Sequence, residues 1–232
     1  MTRILITLIL LCFELILHYK FNRIAAYPAR VLLYSYLIYW CYTESKPKYG
    51  ITLTEKLYII SCLLIMVSPI PGFIWDSVPG KVSEMVLLMI SQHLVAHIWI
   101  HQGARINFSK RENLFLKILV PYILIPILFF LFVVVPTFQF LPIVLCSIYV
   151  VQLIYITTLS AFVPFPEKSK WYISLAMGLL VFSSGANALR IYVAHYEWDF
   201  AVVRITSTVF RVFLLVGLLH REIPEKYATY LR

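Results

Sequence analysis

Long apolar runs, each close to the length needed to cross a bilayer, follow one another along nearly the whole chain. Strand-like alternation is absent from them, so a membrane barrel fits poorly. Helices remain as the way to satisfy backbone groups in lipid. The breaks between runs predict transmembrane helices near 4–19, 24–43, 57–75, 83–101, 115–135, 140–162, 171–191 and 200–220. Pro69, Pro71, Pro79 and Gly80 mark the turn between the third and fourth runs, and Pro136 and Pro142 bracket the fifth-to-sixth connection. The first run begins like a signal peptide. No small-residue cleavage site precedes His18-Tyr19-Lys20, however, and the run carries Glu14, so it is read as a helix. The expected fold is all-α: one polytopic membrane helix bundle of about eight transmembrane helices over 1–232.

Composition strengthens this reading. With 61% apolar and 13% charged residues, the chain lacks the polar surface of a soluble domain, which carries roughly 25% charged residues. Lys and Arg are distributed unequally between alternate loops. Arg3, Lys46, Lys48, Lys56, Arg105, Lys110, Arg111, Lys117, Lys168, Lys170, Arg221, Lys226 and Arg232 fall on one side; Lys20, Arg23 and Lys81 fall on the other. The positive-inside rule makes the richer side cytoplasmic and places both termini there. The net charge of +9 then reads as a topology signal and an attraction to anionic lipid, with no soluble domain left to bind nucleic acid. Short loops and the absence of tails point to a bacterial inner membrane. Cys12, Cys41, Cys62 and Cys146 lie inside predicted spans at unrelated spacings and read as small buried hydrophobes.

Polar residues inside hydrocarbon are costly unless paired or wetted, so they carry the functional signal. At about 1.5 Å per residue, Glu14 lies roughly 16 Å from the cytoplasmic start of its helix, and Arg211 about 14 Å from the end of the last one. His93 and Gln152 come out at similar depth. The expectation is a buried polar layer in which Glu14 and Arg211 neutralise each other, with His93 and Gln152 completing it.

His93, His97 and His101 recur every fourth residue and therefore share one helix face. Histidines at i and i+4 can both reach one Zn²⁺ or Fe ion, to which Glu14 or Asp76 could add oxygen ligands. The third imidazole lies beyond one ion's span and no other helix carries a second His pair, so no metal or cofactor is assigned. In the seventh span Ser183-Ser184-Gly185-Ala186-Asn187 precedes Arg190, and the eighth carries Arg204, Thr206, Ser207, Thr208 and Arg211. Small and hydroxylated residues pack membrane helices closely. The functional alternative is a cleft in which Arg190 and Arg204, with Asn187 and Ser184, bind a lipid phosphate.

QHLVAHIWI around His97, GLLVFSSGANAL over 178–189 and ITSTVFRVFLLVGLL over 205–219 resemble YhhN-type membrane proteins, the lysoplasmalogenase family. His97 and the Gly178–Phe182 frame match the family pattern cleanly. Ser68-Pro69-Ile70-Pro71-Gly72 and Gly185-Ala186 stand where the family has aspartates, and Arg211 stands where it has glutamine. The resemblance implies hydrolysis of the vinyl-ether bond of lysoplasmalogens by intramembrane acid–base groups.

Two functions follow from these features. The first is a lipid hydrolase in which His97 or His93 acts with Glu14 or Asp76. The second is a noncatalytic relative that binds lipid or serves as an assembly subunit with a membrane-protein partner or a second copy. A small-molecule transporter is held in reserve, because no inverted repeat is visible and no helix shows a midplane Gly or Pro interruption, although Pro121 and Pro126 kink the fifth span.

Overall fold

A computed structural model describes residues 2–75, 78–107, 119–137, 140–192 and 197–221. Every regular element among them is helical. The described residues divide into two compact units, one within 2–101 together with Arg221, the other within 102–220.

In the first unit, α1 (Thr2–Lys20) and α2 (Arg23–Tyr49) form a hairpin. Asn22 starts α2 by accepting the Ala25 N–H on its side-chain oxygen at 2.8 Å, which satisfies one orphan donor of the first turn. Gly50 ends α2 at a φ of 71°, a backbone that favours glycine. Beyond it lie α3 (Leu53–Val67) and α4 (Ile70–Ile74), so the third predicted run is broken at Ser68-Pro69, where proline has no N–H to continue the ladder. The chain then enters α5 (Val78–His101). A Cβ on Gly80 would lie 2.1 Å from the Trp75 carbonyl oxygen, so the α4–α5 turn closes only around a glycine.

The second unit starts in a proline-rich stretch. A π-helical segment (Leu119–Leu124), the short helix α6 (Ile125–Phe129) and a second π-helical segment (Phe130–Val134) succeed one another, ending in a 3-10 turn at Val135–Thr137. Pro121, Pro126 and Pro136 each remove an N–H from this stretch, and widened or tightened turns re-pair the carbonyls left behind. Then come α7 (Phe140–Ala161), α8 (Glu167–Tyr192) and α9 (Asp199–Leu219), with α8 and α9 forming the most extensive helix pair. Their close approach is set at Gly217. A Cβ there would lie 2.8 Å from Ile173 Cγ1, and the Ser169 hydroxyl donates to the Gly217 carbonyl at 2.6 Å. In the Ser183–Ala186 cluster Ser183 and Ala186 are buried and the Ser183 hydroxyl donates to the Val203 carbonyl of α9 at 3.5 Å, while a Cβ on Gly185 would meet the Phe129 ring at 3.9 Å.

Helical segments stand on all eight predicted runs; residues 115–118 of the fifth lie outside the described ones. Six helices are long and apolar enough to cross a membrane: Thr2–Lys20, Leu53–Ile74, Pro79–His101, Ile143–Ala161, Glu167–Arg190 and Asp199–Leu219. α2 falls outside that set because Arg30 and its tyrosines dilute its apolar character, and Val120–Val133 is shorter. Large apolar side chains face outward along these helices, among them Leu5, Ile9, Phe13 and Ile16 on α1 and Phe182 on α8. In water such stripes would be an unsatisfied hydrophobic surface; against lipid they are the expected exterior.

Candidate functional site

The polar interior of the first unit is organised by carboxylate–guanidinium pairs between elements. Each glutamate in residues 1–101 has an arginine partner: Glu14 with Arg30, Glu44 with Arg3, Glu55 with Arg221, and Glu84 with Arg23. The Glu14–Arg30 pair is the deepest. Glu14 continues the inward stripe of Thr7 and Leu11 on α1 and is fully buried, and Arg30 Nε donates to its Oε1 at 2.9 Å. The hairpin makes this meeting geometrically natural. Glu14 stands six residues before the end of α1 and Arg30 seven after the start of α2, both roughly 10 Å below the turn. Arg30 is the residue that the sequence reading left out of its buried layer. The available signal was its depth, which matches that of Glu14 once the two helices are folded against each other.

The other pairs bind the ends of the unit. Arg23 Nη2 lies 2.5 Å and 2.6 Å from the two carboxylate oxygens of Glu84, linking the start of α2 to α5. At the opposite end the Arg3 Nε–Glu44 Oε1 pair closes at 3.1 Å, with Lys48 Nζ 3.9 Å from the other oxygen. Glu55 reaches back to the start of α3, where its Oε2 accepts the Thr52 N–H at 3.0 Å and the Thr52 hydroxyl. Its Oε1 accepts from Arg221 Nη2 at 2.6 Å. Both Glu55 and Arg221 are buried. Thr52-Leu53-Thr54-Glu55 is the sequence signature of a capping box, a cue that could have singled out Glu55.

The histidines have a different setting. α5 turns Ser91, Val95, Ala96, Ile98 and Trp99 inward, and the Ser91 hydroxyl donates to the Ser61 carbonyl of α3 at 2.8 Å. His93, His97 and His101 therefore lie on the outward face, and all three are exposed. The rings of His93 and His97 meet edge to face with centroids 5.0 Å apart. Glu14 and the imidazoles thus occupy opposite environments, one enclosed and the other on the surface. Asp76, the remaining member of the predicted acid–base set, lies outside the described residues. Among the described residues no group of three or more His, Cys, Asp or Glu is gathered as a metal site would need.

In the second unit, the predicted phosphate-binding residues sit along the α8–α9 pair. The Arg190 guanidinium lies 5.8 Å from the centre of the Phe200 ring, and Arg204 is buried. Ser184 donates to the Leu180 carbonyl at 2.7 Å and lies 2.6 Å from the Tyr149 hydroxyl, so its oxygen takes part in linking α7 to α8. Asn187 and Gln152 are half-buried. Arg211 is enclosed, with its guanidinium 4.9 Å from the Phe210 ring centre.

Fold and interior together define a class: a helical, multi-pass membrane protein, in whose first unit each glutamate is paired with an arginine. Comparison of the chain with models of protein families, with curated proteins and with solved structures finds no match in any of the three.

Proposed function

We propose that this protein is a noncatalytic multi-pass membrane protein that binds anionic lipid and serves as an assembly subunit. Its eight helical segments would cross a bacterial inner membrane with both termini on the cytoplasmic side. The observation that carries the reading is the separation of acid from base. Glu14 is fully buried against the Arg30 guanidinium, while His93 and His97 face outward from α5. General acid–base catalysis needs its groups within hydrogen-bond reach of a shared substrate or water. A carboxylate held in an ion pair with a buried guanidinium serves the fold.

The end-on ion pairs support the orientation. Arg3 joins Glu44, and Arg221 joins Glu55, so residues near both ends of the chain sit at the Lys46–Lys56 end of the first unit. Lysines and arginines outnumber acids at that end, as a cytoplasmic face facing anionic lipid requires.

Purified protein in lipid nanodiscs, incubated with a lysoplasmalogen, should release no aldehyde above a protein-free blank. It should retain phosphatidylglycerol in native mass spectrometry more strongly than phosphatidylcholine. Aldehyde release that disappears in His97→Ala would overturn the noncatalytic reading in favour of the vinyl-ether hydrolase that the family resemblance implies.

A further inference from the structure

We infer that Lys46 and Tyr42, one turn apart near the end of α2, form a headgroup site for an anionic phospholipid, flanked by Tyr39 and Arg3. The inference rests on the lipid-binding reading above and places that binding at named residues. α2 has 27 residues, about 40 Å of helix against a hydrocarbon core of roughly 30 Å, so its last turns stand in the headgroup layer. α1 is apolar enough to cross a membrane and packs along α2 as a hairpin. The outward face of α2 therefore meets the same lipid. On that face Leu32, Ser35, Tyr39, Tyr42 and Lys46 fall within an arc of roughly 80°, and all five are exposed. The stripe runs from apolar to aromatic to cationic, the order in which a phospholipid presents chain, glycerol and phosphate.

The polar end of the stripe has the geometry of a phosphate donor pair. Helical side chains lean toward the N-terminus, which for α2 is the direction of the hydrocarbon. Lys46 follows that lean: its Nζ donates to the Tyr42 hydroxyl at 3.0 Å and lies 5.1 Å from the centre of that ring. The ammonium has two further protons to donate, and the phenol, accepting from Lys46, has its own. A phosphate diester carries two unesterified oxygens that accept both kinds of donor in charge-assisted hydrogen bonds. Arg3 borders the stripe from α1. Its Nη1 donates to Thr43 Oγ1 at 2.7 Å, and its guanidinium carbon lies 5.9 Å from the centre of the Tyr39 ring. Arg3 and Lys48 share the Glu44 carboxylate, so with Lys46 three cations stand against one acid among the described residues here. The patch stays positive, which favours a net-anionic headgroup over phosphatidylcholine, whose own quaternary ammonium it repels.

The test titrates the full chain, purified and delipidated in detergent, with phosphatidylglycerol and reads bound lipid by native mass spectrometry. Lys46→Gln and Tyr42→Phe should each weaken binding about fivefold. Tyr42→Phe is the sharper variant, because it leaves every charge in place and a diffuse attraction would not respond to it. Lys56→Gln, exposed at the same end of the unit, should bind as the parent does, and excess inorganic phosphate should not displace the lipid. All three side chains are exposed, so the variants should match the parent in helicity and melting temperature. A parent that binds phosphatidylglycerol no better than phosphatidylcholine would sink the lipid-binding reading and this site with it. A parent with that preference, unchanged in Lys46→Gln and Tyr42→Phe, would overturn the site alone. So would an equal loss in Lys56→Gln, which marks general charge attraction, or displacement by inorganic phosphate, which marks a site for the free anion.

Discussion

Glu14 shows how one residue can be placed by depth before its partner is known. A carboxylate on the buried stripe of an apolar helix demands a cation, and Arg30 supplies it at 2.9 Å. Removing one member of a buried pair leaves the other uncompensated, at a cost of about 3–5 kcal/mol, whereas removing both is often nearly neutral. Glu14→Leu should therefore lower the yield of folded, monodisperse protein sharply, and Glu14→Leu combined with Arg30→Met should restore much of it. A double variant as impaired as the single one would show that the two side chains act independently. His97 carries the opposite message. It is the residue with the cleanest family likeness, yet its exposure separates it from the enclosed carboxylate it was expected to work with.

At the scale of elements, the α8–α9 pair depends on one missing side chain. Gly217→Ala introduces a methyl 2.8 Å from Ile173 Cγ1, an overpacking expected to cost about 1–3 kcal/mol. The melting temperature in detergent should fall. Ile173→Ala beside it should recover part of the loss by removing Cγ1 from the crowded flank. Gly178→Ala is the control, because nothing lies within 4 Å of a Cβ built there. The start of α3 is a second local device: Glu55 caps its own helix and also holds Arg221. Glu55→Gln keeps most of the cap and removes the charge that binds Arg221. Faster proteolysis of a C-terminal tag, with helicity unchanged, is the expected result, and an unchanged cleavage rate would show that this ion pair does not fasten the chain there.

For the whole molecule, the charge asymmetry predicts sidedness. In vesicles of known orientation, a membrane-impermeant maleimide should label Lys48→Cys and Lys81→Cys from opposite faces, with Lys48→Cys on the cytoplasmic one. Labelling of both from one face would break the proposed topology. Much of the fold was legible before any coordinates. Helical segments occupy the predicted runs because apolar length and proline breaks are properties of the local sequence. The third run holds α3 and α4, which meet at Ser68-Pro69, and Leu53–Ile74 as a whole keeps the length and apolar character of one span. Ser183 of the Ser183–Ala186 cluster is buried and reaches the Val203 carbonyl of α9, and Gly217 adds a closer approach that composition did not single out.

By itself the sequence determined that this is a helical membrane protein, roughly where its apolar runs lie, and that Glu14, His93 and Arg211 stand within those runs. Those are one-dimensional facts: hydropathy, proline position and distance along a helix at a fixed rise per residue. Only the tertiary structure decided that Glu14 meets Arg30, that Glu55 meets Arg221, and that the histidine stripe of α5 faces outward. The reason is rotational. Depth along a helix can be counted from the sequence, but the face a residue presents, and the element that meets it, are fixed by how neighbouring helices pack.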